Sequence, residues 1–190
     1  MRVPPGGQGG GMDVEFRRFD VGEADELAGF LAGETWPYHG TARVDRDSVR
    51  SRAAGGFYDN ASTRTFWITA GGSAVGVVRL FDLEDDTAMF DLRVRAADRG
   101  KGVGQRAVRW LTAYVFTEFP AAHRIEGTTR QDNHAMRAVF RRCGYAKEAH
   151  YRQSWPGDGG ARYDAVGYAI LRDDWSTATV TVPDFDDEPA

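Results

Sequence analysis

The sequence predicts a mixed α/β domain whose sheet is mostly antiparallel. Three observations predict it. Residues 64–94 hold three strand-like runs in close succession, the first two parted by Gly71-Gly72. From residue 105 the apolar spacing changes to that of a helix. The whole chain then reads in the order β, αα, βββ, α, β, α, ββ.

Met1 to Gly11 is rich in Gly and Pro and reads as a disordered leader, drawn over 1–12. Val14 to Phe19 alternates and forms a first strand. Glu23 to Ala32 carries Ala24, Leu27, Ala28 and Leu31 at helical spacing, and Gly33 stops it. A second helix runs from Asp45 to Ala54. Asp45 or Asp47 can cap it, and Gly55-Gly56 ends it.

Arg64 to Ala70 and Ala74 to Leu80 flank the Gly71-Gly72 turn and form a hairpin. Asp82 to Asp86 turns the chain into a third strand, Thr87 to Val94. Val108, Leu111, Thr112, Val115, Phe116 and Phe119 trace one face of a helix over 105–119, and Pro120 stops it. His123 to Thr128 is a short strand. Asp132 can cap a helix running to Arg142, ended by Gly144. Tyr145 to Trp155 and Arg162 to Leu171 are the last strands, joined by a Pro/Gly turn. A single domain over 13–175 and an acidic flexible tail over 176–190 complete the division.

Composition excludes several classes. Apolar residues make up 42% of 190 residues and aromatics 12%, enough for a packed core. No apolar run approaches the ~18 residues a membrane span needs, and no signal-peptide pattern opens the chain. The one cysteine, Cys143, excludes an internal disulfide and fits a reducing, cytoplasmic setting. The four histidines lack metal-ligand spacing, so no metal is expected.

Net charge is −4, but positive charge is concentrated. Residues 93–109 hold six basic side chains against one acid, Asp98, whereas 173–190 holds six acids and no base. A nucleic-acid-binding domain would be basic overall, and this chain is not. A basic island suits one compact polyanion instead. Arg106 and Arg109 fit equally well on a plain solvated helix face.

The segment Arg99-Gly100-Lys101-Gly102-Val103-Gly104-Gln105 lies where a strand hands over to the long helix. Glycines allow close backbone approach, the first helical amides have no internal partner, and the helix dipole favours negative charge. A phosphorylated ligand fits that cradle. The Walker pattern fails because Gly102 follows Lys101. Gly102-x-Gly104-x-x-Ala107 meets a relaxed dinucleotide fingerprint, but strands rather than helices precede it. A plain tight turn is the simplest alternative.

Read as R-x-x-G-x-G through Arg99, Gly102 and Gly104, the turn resembles the acyl-CoA-binding motif of the GNAT acetyltransferases. Asn133-x-x-Ala-x-Arg137 followed by Arg142-Cys143-Gly144-Tyr145 resembles that family's second cofactor-side motif. The likeness covers Arg64 to Trp175. It is nearest the bacterial branch of ribosomal-protein and aminoglycoside N-acetyltransferases.

The resemblance implies a twisted, mostly antiparallel sheet of about seven strands with helices on both faces. It also implies a central parallel pair that splays to admit the pantetheine arm. The co-substrate is then acetyl-CoA, held by Leu92, Val94, Arg99, Gly100, Lys101, Gly102, Val103, Gly104, Gln105 and Asn133. Asn133 could instead share helix capping with Asp132. The acetyl group passes directly to an amine, of a small molecule or a protein N-terminus, without nucleic-acid or membrane partners. Members of the family often dimerise. A non-catalytic acyl-CoA-binding regulator of the same fold is the alternative function.

Such a reaction needs aligned reactants, a hydrogen-bond donor for the thioester oxygen and a group that takes the amine's proton. Glu126, among apolar neighbours on its strand, is the preferred base. Pairing with Arg124 or Arg130 would make it structural. Asp91 is the competing acid, able to bind a cationic acceptor. Many relatives carry a tyrosine seven residues after the motif asparagine; here Phe140 stands there, so the general acid is unassigned. Tyr145 and Tyr151 are candidates for it or packing aromatics. Trp36, Tyr38 and His39 would line the acceptor's mouth, or else form a buried plug with the last two at its rim. Together with Asp82, Glu84, Asp85, Asp86 and Asp91 they hint at a cationic acceptor.

Overall fold

A computed structural model describes residues 13–185. Its strands are β1 (Glu15–Arg18), β2 (Asp59–Asn60), β3 (Thr63–Ala70), β4 (Ser73–Phe81), β5 (Thr87–Val94), β6 (Arg124–Arg130), β7 (Ala146–Pro156) and β8 (Arg162–Leu171). The helices are α1 (Ala24–Ala32), α2 (Arg46–Ala54), α3 (Val103–Glu118), α4 (His134–Arg142) and α5 (Arg172–Thr177). Gly71 and Gly72 take φ of 55° and 78°, a backbone that side chains resist, and fold β4 back on β3.

The strands form one eight-stranded sheet in the order β1-β3-β4-β5-β6-β8-β7, with the two-residue β2 beside β3. Every pairing is antiparallel except β5 with β6. Helices cover both faces. On one, Leu111 and Val115 of α3 and Phe140 of α4 pack with Phe66, Val78, Leu80, Ile125 and Tyr168. On the other, Leu27 and Leu31 of α1 and Val49 and Ala53 of α2 pack with Trp67 and Val77. Side chains alternate along each strand, so one run of sequence feeds both cores.

Three boundaries differ from the sequence reading, each for a local reason. Helix α3 begins at Val103, two residues early, because Gly102 takes a left-handed φ of 83° and turns the chain directly into it. Helix α4 is capped by Asn133, whose Oδ1 accepts from the Met136 amide at 3.2 Å. Asp132 does not cap it, since Arg130 holds its carboxylate at 2.6 and 2.8 Å.

The third difference is α5, which contains the expected end of the domain at 175. Its Arg172 donates to the carbonyls of Phe116, Phe119 and Ala122 at 2.7, 2.7 and 2.8 Å, closing the end of α3. Buried Asp174 then accepts from the Thr181 amide and hydroxyl at 2.9 and 2.8 Å, so the chain is tied down past 176. The leader over 1–12 and residues 186–190 of the expected tail lie outside the described residues.

Candidate functional site

The register decides which backbone groups are free at the centre of the sheet. The Arg95 amide donates to the Val75 carbonyl at 2.9 Å, so the odd-numbered residues of β5 bond to β4. The amides of His123 and Arg124 both donate to the Asp86 carbonyl, at 2.7 and 3.0 Å, so even-numbered residues face β6. The β5–β6 ladder runs only from Thr87↔Arg124 to Met89↔Glu126. Past it a gap opens where Leu92 and Val94 have no strand partner on that side, and their carbonyls accept from the side chains of His39 and Arg99.

Aromatic rings hold that gap open. A Cβ built on Gly127 of β6 would lie 2.7 Å from Cζ of Phe140 and 3.0 Å from Cε1 of Phe90. Phe140 is 1% exposed and stacked on Tyr168 with centroids 4.7 Å apart. The strands therefore part where two rings need the room that glycine leaves.

At the end of β5 the chain makes a short 3-10 turn (Ala96–Asp98) and enters α3 through Gly100 and Gly102. Both glycines have positive φ, 75° and 83°, and nothing lies within 4 Å of where their Cβ atoms would be. The first bond of the helix is from the Arg106 amide to the Gly102 carbonyl at 3.1 Å. The amides of Val103, Gly104 and Gln105 precede it, and no side chain caps them. Arg99 donates to the Val94 carbonyl at 3.0 Å, while Lys101 pairs with Asp98 at 3.1 Å. Glu34, beyond α1, accepts from the Ala96 amide at 3.2 Å and braces this turn from the other face. Open space, unpaired amides and two cations together fit a diphosphate.

The segment Trp36–His39 straps the splay on the α1/α2 face. The Arg130 Nη1 donates to the Pro37 carbonyl at 3.3 Å, tying the strap to β6. The same guanidinium lies 4.9 Å from the ring centroid of Tyr38. At the other end His39 Nε2 lies 3.2 Å from the Leu92 carbonyl and 3.1 Å from Asp91 Oδ1 of β5. Trp36 does not line a mouth: it is 1% exposed and donates to the Leu31 carbonyl at 2.8 Å. The buried-plug alternative describes it, with Tyr38 and His39 partly exposed beside it.

His39 faces two acceptors through Nε2, so that nitrogen carries a hydrogen. Nδ1 is sealed from water and has no hydrogen-bond partner. Asp91 is held by Arg93, whose Nη2 and Nε lie 3.2 and 3.4 Å from Oδ2. Burial disfavours its charge, but the His39 contact and the Arg93 guanidinium outweigh that. They hold the carboxyl well below the usual carboxylate range.

Glu126 takes the structural alternative, pairing with Arg124. It is not in apolar surroundings but 2.8 Å from Arg124, which also pairs with Glu148 of β7. Asn133 uses both ends of its amide, since Nδ2 donates to Thr129 Oγ1 at 3.0 Å while Oδ1 caps α4. Tyr145 is buried with its hydroxyl on Thr112 at 2.8 Å, and burial pushes that phenol well above its ordinary value. It is a core residue, not an acid at the splay. Tyr151 is 48% exposed on β7. Burial also raises the Cys143 thiol, against the pull of Arg109. Asp82, Glu84, Asp85 and Asp86 lie in or beside the β4–β5 turn, with Glu84, Asp85 and Asp86 exposed to solvent.

One feature escaped the sequence reading. A cavity of about 210 Å³ lies between α1, α2 and the sheet, lined by Thr65, Tyr58, Arg79, Asp91, Arg93 and Arg52 among others. Register places Thr65, Arg79 and Asp91 in one row across β3, β4 and β5. The available signal was Arg79 itself, a lone charge inside the apolar run Val75–Leu80. Among the described residues no group of three or more His, Cys, Asp or Glu could hold a metal ion.

A family model described as "Acetyltransferase (GNAT) domain" matches residues 13–146. No curated protein matches the chain at a significant level. Solved structures do. RimL, a ribosomal L7/L12 alpha-N-protein acetyltransferase in complex with coenzyme A, superposes with a TM-score of 0.74 at 18% identity, covering 84% of this chain and 94% of that one. RimJ of Mycobacterium smegmatis, in complex with CoA-disulfide, gives 0.71 at 21% identity over 85% and 83%. Mutant forms of the spermidine/spermine N-acetyltransferase SpeG from Vibrio cholerae give 0.72 at 18% identity over 87% and 97%. At these identities the likeness is one of fold.

Proposed function

The chain belongs to the GNAT acetyltransferase family, and on that premise we propose that it transfers an acetyl group from acetyl-CoA to a primary amine, aligned across the β5–β6 splay. The observation that carries this reading is the pair of Leu92 and Val94 amides that have no strand partner beyond Met89↔Glu126, leading straight into the open turn of Gly100 and Gly102. An extended ligand arm finds main-chain groups along the first part and a helix N-terminus for its diphosphate at the second. The amides of Val103, Gly104 and Gln105, with Arg99 and Lys101, would hold the phosphates. RimL and RimJ, which share the fold, were solved with CoA.

Bound acetyl-CoA supplies a thioester, whose carbonyl carbon bonds to the neutral amine nitrogen as the C–S bond breaks; the proton that this nitrogen sheds balances the departing thiolate, and CoA leaves as the thiol. The chain's residues do the rest. Asp91, ionised and on the α1/α2 face, attracts the acceptor as its ammonium ion. His39 takes the ammonium proton at Nδ1, and Asp91 and the Leu92 carbonyl, both held at Nε2, stabilise the imidazolium formed. The amides of Leu92 and Val94 donate to the carbonyl oxygen as it gains charge. Glu126, paired with the Arg124 that it shares with Glu148, orders the base of β6 and is assigned no proton transfer. Asn133 fixes the start of α4 beside the splay.

The cradle has a direct test. Gly102→Val puts a branched side chain into open space the diphosphate needs, and into a backbone conformation costing such a residue about 1–2 kcal/mol. CoA affinity measured by calorimetry is expected to fall at least tenfold, with Gly102→Ala intermediate. Unchanged affinity in a folded variant would remove the cradle, and the transferase reading with it.

A further inference from the structure

We propose that the cavity beneath α1 and α2 is the acceptor site and that it selects a small amine also bearing a carboxylate. This deepens the acetyl-transfer reading and rests on it for the fate of the amine.

Charge points to an oxyanion. Four arginines line the cavity, Arg43, Arg52, Arg79 and Arg93, against two acids, Asp45 and Asp91. Both acids are already engaged. Asp45 caps α2 by accepting from the Ser48 amide at 2.8 Å, and Asp91 holds Arg93 and His39. The lining is therefore positive by two charges.

Arg79 concentrates that excess. Its guanidinium is clamped between Phe57 and Phe81, 4.1 and 4.2 Å from their centroids. Among the described residues it has no hydrogen-bond partner, and no carboxylate lies within 4.0 Å of it. Burial pulls its proton affinity down, and nearby Asp91 only partly offsets this. A partly buried guanidinium with no carboxylate beside it is an arrangement that a ligand carboxylate relieves.

The floor tells the same story. Among the described residues Thr65 Oγ1 and Arg93 Nη1 are sealed and have no partner, while sealed Asp91 Oδ1 faces only His39 Nε2, at 3.1 Å. Thr65 pairs with Arg79 and Arg79 with Asp91 across neighbouring strands. At about 4.8 Å between strands, the row sets a carboxylate over Arg79 and Thr65 and an amine over Asp91 roughly 5 Å apart. The amine end then lies next to Leu92, whose backbone faces the splay. Acidic residues of the β4–β5 turn take no part, so a polyamine finds a repulsive arginine wall where its second charge would sit.

Three four-carbon probes separate the possibilities: 4-aminobutyrate, butylamine and 1,4-diaminobutane. Calorimetry on the protein alone is expected to show 4-aminobutyrate binding at least tenfold tighter than either other probe. Thiol release from acetyl-CoA is expected to show the same order in kcat/KM. Arg79→Met should cut the preference to threefold or less while leaving CoA affinity unchanged. Thr65→Val, nearly isosteric, should reduce it by a smaller factor and guards against misfolding of the first variant. Equal binding of the three probes, or preference for the diamine, overturns the proposal whatever the turnover. Loss of CoA binding with the carboxylate preference intact would instead overturn the transferase reading and leave the site standing.

Discussion

His39→Ala is expected to lower kcat for acetyl transfer about a hundredfold or more while CoA affinity stays within twofold of wild type. The size follows from the usual contribution of one positioned proton acceptor, ~10² to 10⁴ in rate. Removing the ring also frees one end of the strap, so activity alone is an ambiguous readout. Two further measurements resolve it. Added imidazole should restore part of the rate if the missing group is chemical, and the acid limb of the kcat–pH profile should flatten. No rescue together with an unchanged profile would reduce His39 to a clamp.

Asp91→Asn should raise KM for the amine more than it lowers kcat, because the anchor is lost and the imidazole is kept. Its effect on stability has a defined sign. The folded carboxyl is held below its ordinary value, so ionisation stabilises the fold above the unfolded pKa of about 4. That contribution disappears as pH falls through the lower, folded value. The asparagine variant is thus expected to be less stable than wild type at neutral pH, with the deficit shrinking in acid.

The largest effect on stability is expected from Gly127→Val. The first added carbon already falls 2.7 and 2.8 Å from the Phe140 ring and 3.0 Å from Phe90, and neither ring is a loose end. Phe140 is pinned on Tyr168, and Phe90 packs on Phe140 and Tyr145 at 6.0 and 6.4 Å. Overpacking of this kind costs about 3 kcal/mol. In a domain of this size that lowers Tm by roughly 6 to 12 °C. Adding Phe140→Leu to the variant should recover part of the loss by making room. A single variant as stable as wild type would mean that the rings do not wedge the strands.

The order of elements was legible because its signals are local. The Gly71-Gly72 turn, the change of period at residue 105 and the glycine stops at Gly33 and Gly55 each act within a few residues. The turn from Arg99 to Gln105 was legible for the same reason. What sequence could not supply was set by partners distant along the chain. Glu126 reads either as a base among apolar neighbours or as a structural partner of Arg124 or Arg130, and the cluster that joins Arg124 to it takes in Glu148 of β7 as well. Trp36 reads equally as lining a mouth or as a buried plug until α1 offers it a carbonyl. Helix α5 has too few residues to show a period, and it forms because Arg172 closes the end of α3. The row of Thr65, Arg79 and Asp91 exists only through strand register, which no single segment encodes.

The alternation of bonding along β5 has a consequence for isotope exchange. Amides of Met89, Asp91 and Arg93 are locked into the β4 ladder, whereas those of Leu92 and Val94 have no strand to hold them. Deuterium uptake on this one strand should therefore alternate residue by residue, slow at odd positions and fast at Leu92 and Val94. Saturating CoA should slow the fast pair selectively, reporting the arm's arrival without any chemistry taking place.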